Sequence, residues 1–344
     1  MFSMARRFLL KSLFLLSAFL CPLVFADYTL YKLVLTGEQE THSVETEAVG
    51  YATLVASKDL GELSVFLTHD VQNVTAAHIH EGAPGEDGGV VFDLGDGTSP
   101  IQTFIDLTDR EYETLAGGNY YINVHSEAVP AGEIRAQIVG GVTPDLYEVT
   151  VTNVTKGQPF SPPLIVAHND SERLFQAGNP ASDGLAALAE DGNNMPLMTS
   201  LTANPNVFHV ATCDPVPPGE SVTIEIFAYG SMRQISVLGM LVNTNDAFFA
   251  ADSLRVRNPT LFKRNLFAEG SQVMAFAYDA GSEANNEDCG FIPGPACGSA
   301  GVRATEGAEG YVHVHNGVQG TADLGSAAYD WRGPVAVVHI ERAE

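Results

Sequence analysis

The chain is poor in bases, cysteine and tryptophan. It holds 17 Lys and Arg against 42 Asp and Glu, a formal charge of −25, with four Cys and one Trp in 344 residues. So few cations exclude a nucleic-acid or anionic-lipid surface, which needs Lys and Arg to neutralise phosphate. The carboxylate excess attracts cations, and it serves solubility equally well. The four cysteines make no C-x-x-C pair, which excludes a zinc ribbon and a thioredoxin-like redox centre. There is no G-x-S-x-G elbow, no P-loop, no dinucleotide fingerprint and no cysteine placed for attack. These gaps favour binding over catalysis, and an enzyme is not expected.

Long apolar runs are also missing, apart from one at the start. Arg6, Arg7 and Lys11 precede an apolar run from Ser12 to Phe25, and Val24-Phe25-Ala26 suits a signal peptidase. Residues 1–26 therefore read as a secretory leader cleaved after Ala26, too short to favour a membrane span. Cys21 follows Ala18-Phe19-Leu20, which fits a lipoprotein signal poorly. The expected product is secreted or periplasmic, not membrane-spanning, and bacterial in style. Removing the leader takes away three bases and no acid, so the exported chain is more acidic still. Export permits disulfides. Cys289 and Cys297 flank the short loop CGFIPGPAC and are expected to pair, leaving Cys213 as a free, buried thiol.

What fills the rest is β-pattern. Gly140, Gly141 and Pro144 in VGGVTPD (residues 139–145) interrupt two β-rich blocks. This spacing predicts domains over 27–140 and 146–344 with a linker at 141–145. The first block reads as alternating strands: YKLVLTG, AVGYATLVAS, ELSVFLTHD, AAHIHEG, YYINVHS and EIRAQIVG, with helical periodicity nearly absent. The second offers LYEVTVTNVT, SVTIEIFA, QISVLGMLV, QVMAFAYDA, GYVHVHNG and PVAVVHIE. One helix is expected in ASDGLAALAEDG, capped by Ser182 or Asp183 and stopped by Gly192. The fold class is all-β, two sandwich or barrel domains.

In a strand, the histidines of AAHIHEG share one face, so His78 and His80 stand roughly 7 Å apart. They suit a shared metal ion, and they also suit two solvated residues. His125, in INVHSEAVPAGEIRAQI, supplies a third imidazole if the two strands are close. Three imidazoles make a transition-metal site favouring copper or zinc; the alternative is a cluster that only hydrogen-bonds. His42 and His69 are candidate fourth ligands.

The stretches AAHIHEGAPGEDGGVVFDL and LAGGNYYINVHSEAVPAGEIRAQI resemble the CHRD domain first described in chordin, over about Tyr28 to Ile138. CHRD domains are similar to the Greek-key barrel of copper-zinc superoxide dismutase, and the resemblance places His78, His80 and His125 where copper ligands sit. The loop EGAPGEDGGVVFDLGDGTSP contains no histidine. The bridging histidine and zinc set of a dismutase are therefore not expected, and a copper-only site remains.

In the second block, NTNDAFFAADSL carries Asp246 and Asp252, and AYDAGSEANNEDCG carries Asp279 and Glu283. Loop carboxylates repel one another unless a cation or water relieves them, and calcium takes such oxygen ligands. A solvated acidic loop is the plain alternative, and the EF-hand ladder is missing. The segments SPPLIVAHND, LFQAGNPASDGLAALAEDG, NDAFFAADSL, YDAGSE and GYVHVHNG…YDWRGPVAVVHIER resemble the spondin-type N-terminal domain of F-spondin and mindin, over about Leu146 to Glu344. That resemblance implies a C2-like sandwich binding one calcium through Asp246, Asp279 and Glu283. Glu283 stands where the animal motif has an aspartate, and Asp252 falls in a fold-supporting role. A second H-x-H, His313 and His315, with His168 and His339 in other strands, reads as scaffold more readily than as another metal site. The composite expectation is an exported adhesion or ligand-binding protein, calcium-stabilised, with an extracellular protein or matrix ligand as partner. The alternative is a copper-binding or redox protein.

Overall fold

The computed structural model describes residues 27–256 and 271–343. The expected leader, with Cys21 in it, lies outside the described residues.

The first block forms one antiparallel sheet of eight strands: β1 (Tyr28–Thr36), β2 (Val49–Ser57), β3 (Glu62–His69), β4 (Val74–Glu81), β5 (Val90–Asp93), β6 (Ile101–Asp106), β7 (Tyr120–Ser126) and β8 (Ile134–Gln137). Their order is β5-β4-β7-β8-β1-β2-β3-β6. The chain crosses between distant strands from β3 to β4, from β5 to β6 and from β6 to β7, a Greek-key path. Alternation dictates the inner face: Leu33 and Leu35 of β1, Leu54 of β2, Leu63 and Leu67 of β3, Ile79 of β4 and Ile122 of β7 meet in one core. The sheet therefore wraps around its own apolar face.

Two parts of this domain depart from the expected pattern. β5 lies within EGAPGEDGGVVFDLGDGTSP, which reads as loop, and β6 follows directly after it; neither is among the expected strands, because each is short. A helix, Asp109–Ala116, sits where helical signal was thought nearly absent. Thr108 and Glu111 form its capping box, in which the Thr108 hydroxyl accepts from Glu111 N and the Glu111 carboxylate accepts from Thr108 N.

The second block forms a nine-stranded antiparallel sheet from β9 (Asp145–Asn153), β10 (Leu164–His168), β11 (Val207–Thr212), β12 (Ser221–Ala228), β13 (Gln234–Met240), β14 (Ala247–Arg255), β15 (Ser271–Asp279), β16 (His313–Val314) and β17 (Ala336–Arg342). β16, within GYVHVHNG, is only two residues long and pairs with β15. β10 and the start of β14 are buried on both faces, so they lack the alternation that marks the other strands. On one face of β14, Phe249 and Ala251 join the sheet's inner core. On the other, Phe248 and Ala250 pack with Leu185, Leu188, Leu197 and Leu201 from two helices.

The first of those helices, Asp183–Asp191, is capped by Ser182 Oγ accepting from Leu185 N, and it ends at Gly192 with φ of 67°. The second, Met195–Ala203, was not expected; Pro196 lies in its first turn. The sandwich thus carries a helix pair rather than one small helix, and a further four-residue helix lies at Ser326–Tyr329.

The two sheets touch. Leu30, Phe208 and Phe227 form a shared apolar cluster, and Lys32 Nζ donates to the carbonyls of Thr202 and Val207. Among the described residues no helix is long and apolar enough to cross a membrane.

Candidate metal centres

β4 and β7 pair antiparallel, with Ala76 opposite His125, His78 opposite Asn123 and His80 opposite Tyr121. Ala77, Ile79, Ile122 and Val124 point into the core. His78, His80 and His125 therefore share the opposite face, with His125 diagonal to His78. One ligand atom from each lies within 4.8 Å of the other two. His78 Nδ1 is 3.1 Å from His125 Nε2, and the ring of His80 lies 5.6 Å from that of His78 and 5.9 Å from that of His125.

Backbone carbonyls decide which nitrogens are free. His80 Nδ1 is 3.0 Å from Gly88 O, and His125 Nδ1 is 3.0 Å from Pro130 O. A carbonyl only accepts, so in each neutral ring Nδ1 carries the proton and Nε2 is a bare lone pair. His125 Nε2 accepts from His78 Nδ1. His80 Nε2 is buried with no partner. Burial lowers the pKa of both His80 and His125 below the ordinary imidazole value, which keeps them neutral as ligation requires. Carbonyl-anchored imidazoles with bare Nε2 atoms are the usual second-shell arrangement of metal-bound histidines. Asp93 Oδ1 stands 4.0 Å from His78 Nε2, on the far side of that ring from His125.

The support around the trio was not read from the motif. The Tyr121 ring stacks on His80, with centroids 4.8 Å apart and planes 8° apart. The guanidinium of Arg135, fully buried, lies 3.5 Å from the Tyr121 ring centre and donates to Asp87 Oδ1 and Glu86 O. Gly88 N donates to the Tyr121 hydroxyl. A Cβ at Gly88 would fall 1.5 Å from the Glu81 carbonyl oxygen, so only glycine lets this loop close over His80. His69 is held by Gly97 O and His42 lies beside Glu40; neither belongs to the group of three.

These residues all fall in one recognisable unit. Residues 31–138 match the CHRD domain family. The CHRD domain thus spans the trio, Gly88, Tyr121 and Arg135. Comparison with curated proteins returns no match.

Beyond the CHRD domain, Asp246, Asp279 and Glu283 are all buried, each at most 1 % exposed. Asp246 immediately precedes β14, and Asp279 ends β15 opposite Ala247. Asp246 Oδ2 accepts from Ser282 N at 2.8 Å, Glu283 N at 3.0 Å and Ser282 Oγ. Glu283 Oε1 accepts from Ala304 N, and Asp279 Oδ1 from Gly281 N. Asp246 Oδ1 and Glu283 Oε2 are buried without a partner. Burial, and then the Asp279 charge, raises the Asp246 pKa. Burial also raises that of Asp279, and burial with the Asp246 charge brings Glu283 up to about 7.

The ligand atoms in this region that come within 4.8 Å of one another belong to Asp279, Glu309 and His313. Glu309 was not a candidate, since nothing in its sequence neighbourhood marks it. Asp252 accepts from Ser236 Oγ. That hydroxyl also bonds His168, so both residues are occupied in the scaffold. Cys289 and Cys297 form a disulfide. Together with the CHRD match it is consistent with secretion. Cys213 is unpaired and half-buried rather than buried.

Proposed function

We propose that this is an exported metal-binding protein whose CHRD domain holds a copper or zinc ion between His78 Nδ1, His80 Nε2 and His125 Nε2. The carrying observation is the unpartnered, buried Nε2 of His80 beside two imidazoles that share a single proton. With the His78 proton on Nε2, beside Asp93, its Nδ1 is bare as well, and an ion there would satisfy all three lone pairs. All-nitrogen ligation favours copper over zinc by the general affinity order of divalent ions. His78, with its side chain 22 % exposed, leaves one side of the site near solvent, which suits an ion that is taken up, carried and exchanged. The role is binding, and no catalytic set is assigned. The test is metal analysis of untagged protein purified without chelator. Loss of about one equivalent of bound copper or zinc per chain on His80→Ala supports the proposal; a wild-type protein that takes up no more of either ion than His80→Ala counts against it.

A second reading concerns calcium at Asp246, Asp279 and Glu283. It is favoured by the two unpartnered carboxylate oxygens, Asp246 Oδ1 and Glu283 Oε2, because buried acceptors without donors call for a cation or a proton. In this reading calcium fastens β14, β15 and the following loop of a spondin-type domain. That domain in turn presents a surface to an extracellular protein or matrix ligand. Calcium should raise the melting temperature of the wild type and leave Asp246→Asn unmoved. Equal behaviour of the two proteins would end this reading.

A further inference from the structure

We infer that Asp279, Glu309 and His313 form a second transition-metal site, of zinc-binding character, beside a cavity outside the CHRD domain. His313 lies in β16, directly opposite Asp279 of β15. Its Nδ1 is 3.0 Å from the Val314 carbonyl and so carries the ring proton of the neutral form. Its Nε2 faces Asp279 Oδ1 at 3.6 Å, too far for a hydrogen bond, and is buried with no other partner. The lone pair of His313 is thus aimed at carboxylate oxygens, a repulsive arrangement unless a cation stands between them. This is the same signature that His80 shows in the CHRD domain: Nδ1 on a backbone carbonyl, Nε2 bare.

The neighbours complete a supporting shell. Asn285 Nδ2 donates to Asp279 Oδ2 and, at 3.4 Å, to Glu309 Oε1, so one amide orients both carboxylates. His315 is not a ligand. Gly317 N donates to its Nδ1, which places its proton on Nε2, 2.9 Å from Asn285 Oδ1. It holds Asn285, which holds the carboxylates. A cavity of about 160 Å³ opens here, lined by Asn245, Asn285, Glu287, Glu309, His313 and His315. The amides and carboxylates of this wall, which also holds the apolar Val318 and Leu324, suit the water or small anion that fills the open position of a three-ligand zinc site.

The donor set separates this site from the calcium reading. Calcium takes oxygen ligands, and an imidazole nitrogen with two carboxylates selects a borderline ion. The site rests on neither proposal above, although it shares Asp279 with the calcium reading.

The experiment is zinc titration by calorimetry of the untagged, full exported chain carrying His80→Ala and His125→Ala, which silences the CHRD site. One zinc per chain is expected. Adding His313→Gln should weaken binding by more than about tenfold, and Glu309→Gln, at an exposed residue, should do the same without threatening the fold. His315→Gln should weaken it less than either. Calcium-dependent melting should survive Glu309→Gln, which separates this site from the calcium reading. No zinc binding to the double variant, or unchanged affinity in Glu309→Gln, overturns the assignment. Loss of metal at the CHRD site alone leaves these readings unaffected.

Discussion

His78 Nδ1 and His125 Nε2 lie 3.1 Å apart across the β4–β7 pair, on the face opposite the barrel core. Because Pro130 O fixes the His125 proton on Nδ1, the bond between them runs from His78 to His125. A hydrogen bond of that kind contributes about 1 kcal/mol. In the proposed site, an ion bound by both nitrogens and by His80 would replace it with three coordinate bonds.

His125→Ala is therefore expected to act on metal and hardly on the fold. Copper affinity should drop by more than about a hundredfold, taking loss of a ligand as at least as costly as loss of its second shell. Ion-free stability should fall by only about 1 kcal/mol, the worth of the lost bond. Calorimetric titration and denaturant unfolding in chelator measure the two separately.

Gly88→Ala tests the supporting loop. The added Cβ meets the Glu81 carbonyl, so the loop shifts and takes with it the Gly88 carbonyl that anchors His80. Metal affinity should fall by about 10–100-fold with all three ligands intact. Unchanged affinity would show that the carbonyl anchor does not matter.

Arg135 is fully buried beneath Tyr121; burial raises the pKa of the nearby Glu40, and the Arg135 charge opposes that rise. Arg135→Met keeps the volume but removes that compensation. A cost of about 1–3 kcal/mol is expected, as for leaving partly buried acceptors such as Glu86 O and Gln137 Oε1 without their donor. Urea unfolding of the ion-free protein checks it.

The acidic site carries a pH signature with a definite sign. Glu283 rises from the ordinary carboxylate value of 4.5 to about 7 on folding, and Asp246 and Asp279 also rise. Between those values the folded protein holds more protons at these three groups than the unfolded protein does, so their contribution to ion-free stability is greatest below about pH 4.5 and is lost as pH climbs through 7. Melting temperatures in chelator, taken as the difference from Glu283→Gln, should decline over that window, since buried histidines such as His209 and His315 act with the opposite sign. Calcium should abolish much of the decline.

The histidine trio was legible because strand alternation is a two-residue rule. H-x-H shares a face whatever the rest of the fold does, and His125 needed only the β4–β7 pairing to join it. The all-β class was legible for the same reason. β14 is missing from the expected strands and β10 enters them only through His168, because burial on both faces erases the alternation. The Tyr121–His80 stack and the choice of ring nitrogen depend on loops whose course no local pattern states. Glu309 was invisible because a lone acid in a glycine-rich loop gains meaning only when Asp279 and His313 are brought beside it. The reverse held for Asp246 and Glu283. Asp246, Asp279 and Glu283 form no group of ligand atoms within 4.8 Å of one another, and Asp246 and Glu283 each spend one oxygen on backbone amides.

The most direct test of the central claim is copper titration of the untagged wild-type protein beside the His78→Ala, His80→Ala, His125→Ala variant, followed by electron paramagnetic resonance. The wild type should bind one copper tightly at the CHRD domain, with hyperfine structure from several imidazole nitrogens, and the triple variant should lose that signal while keeping its fold. An identical copper spectrum and stoichiometry in the two proteins would contradict the account.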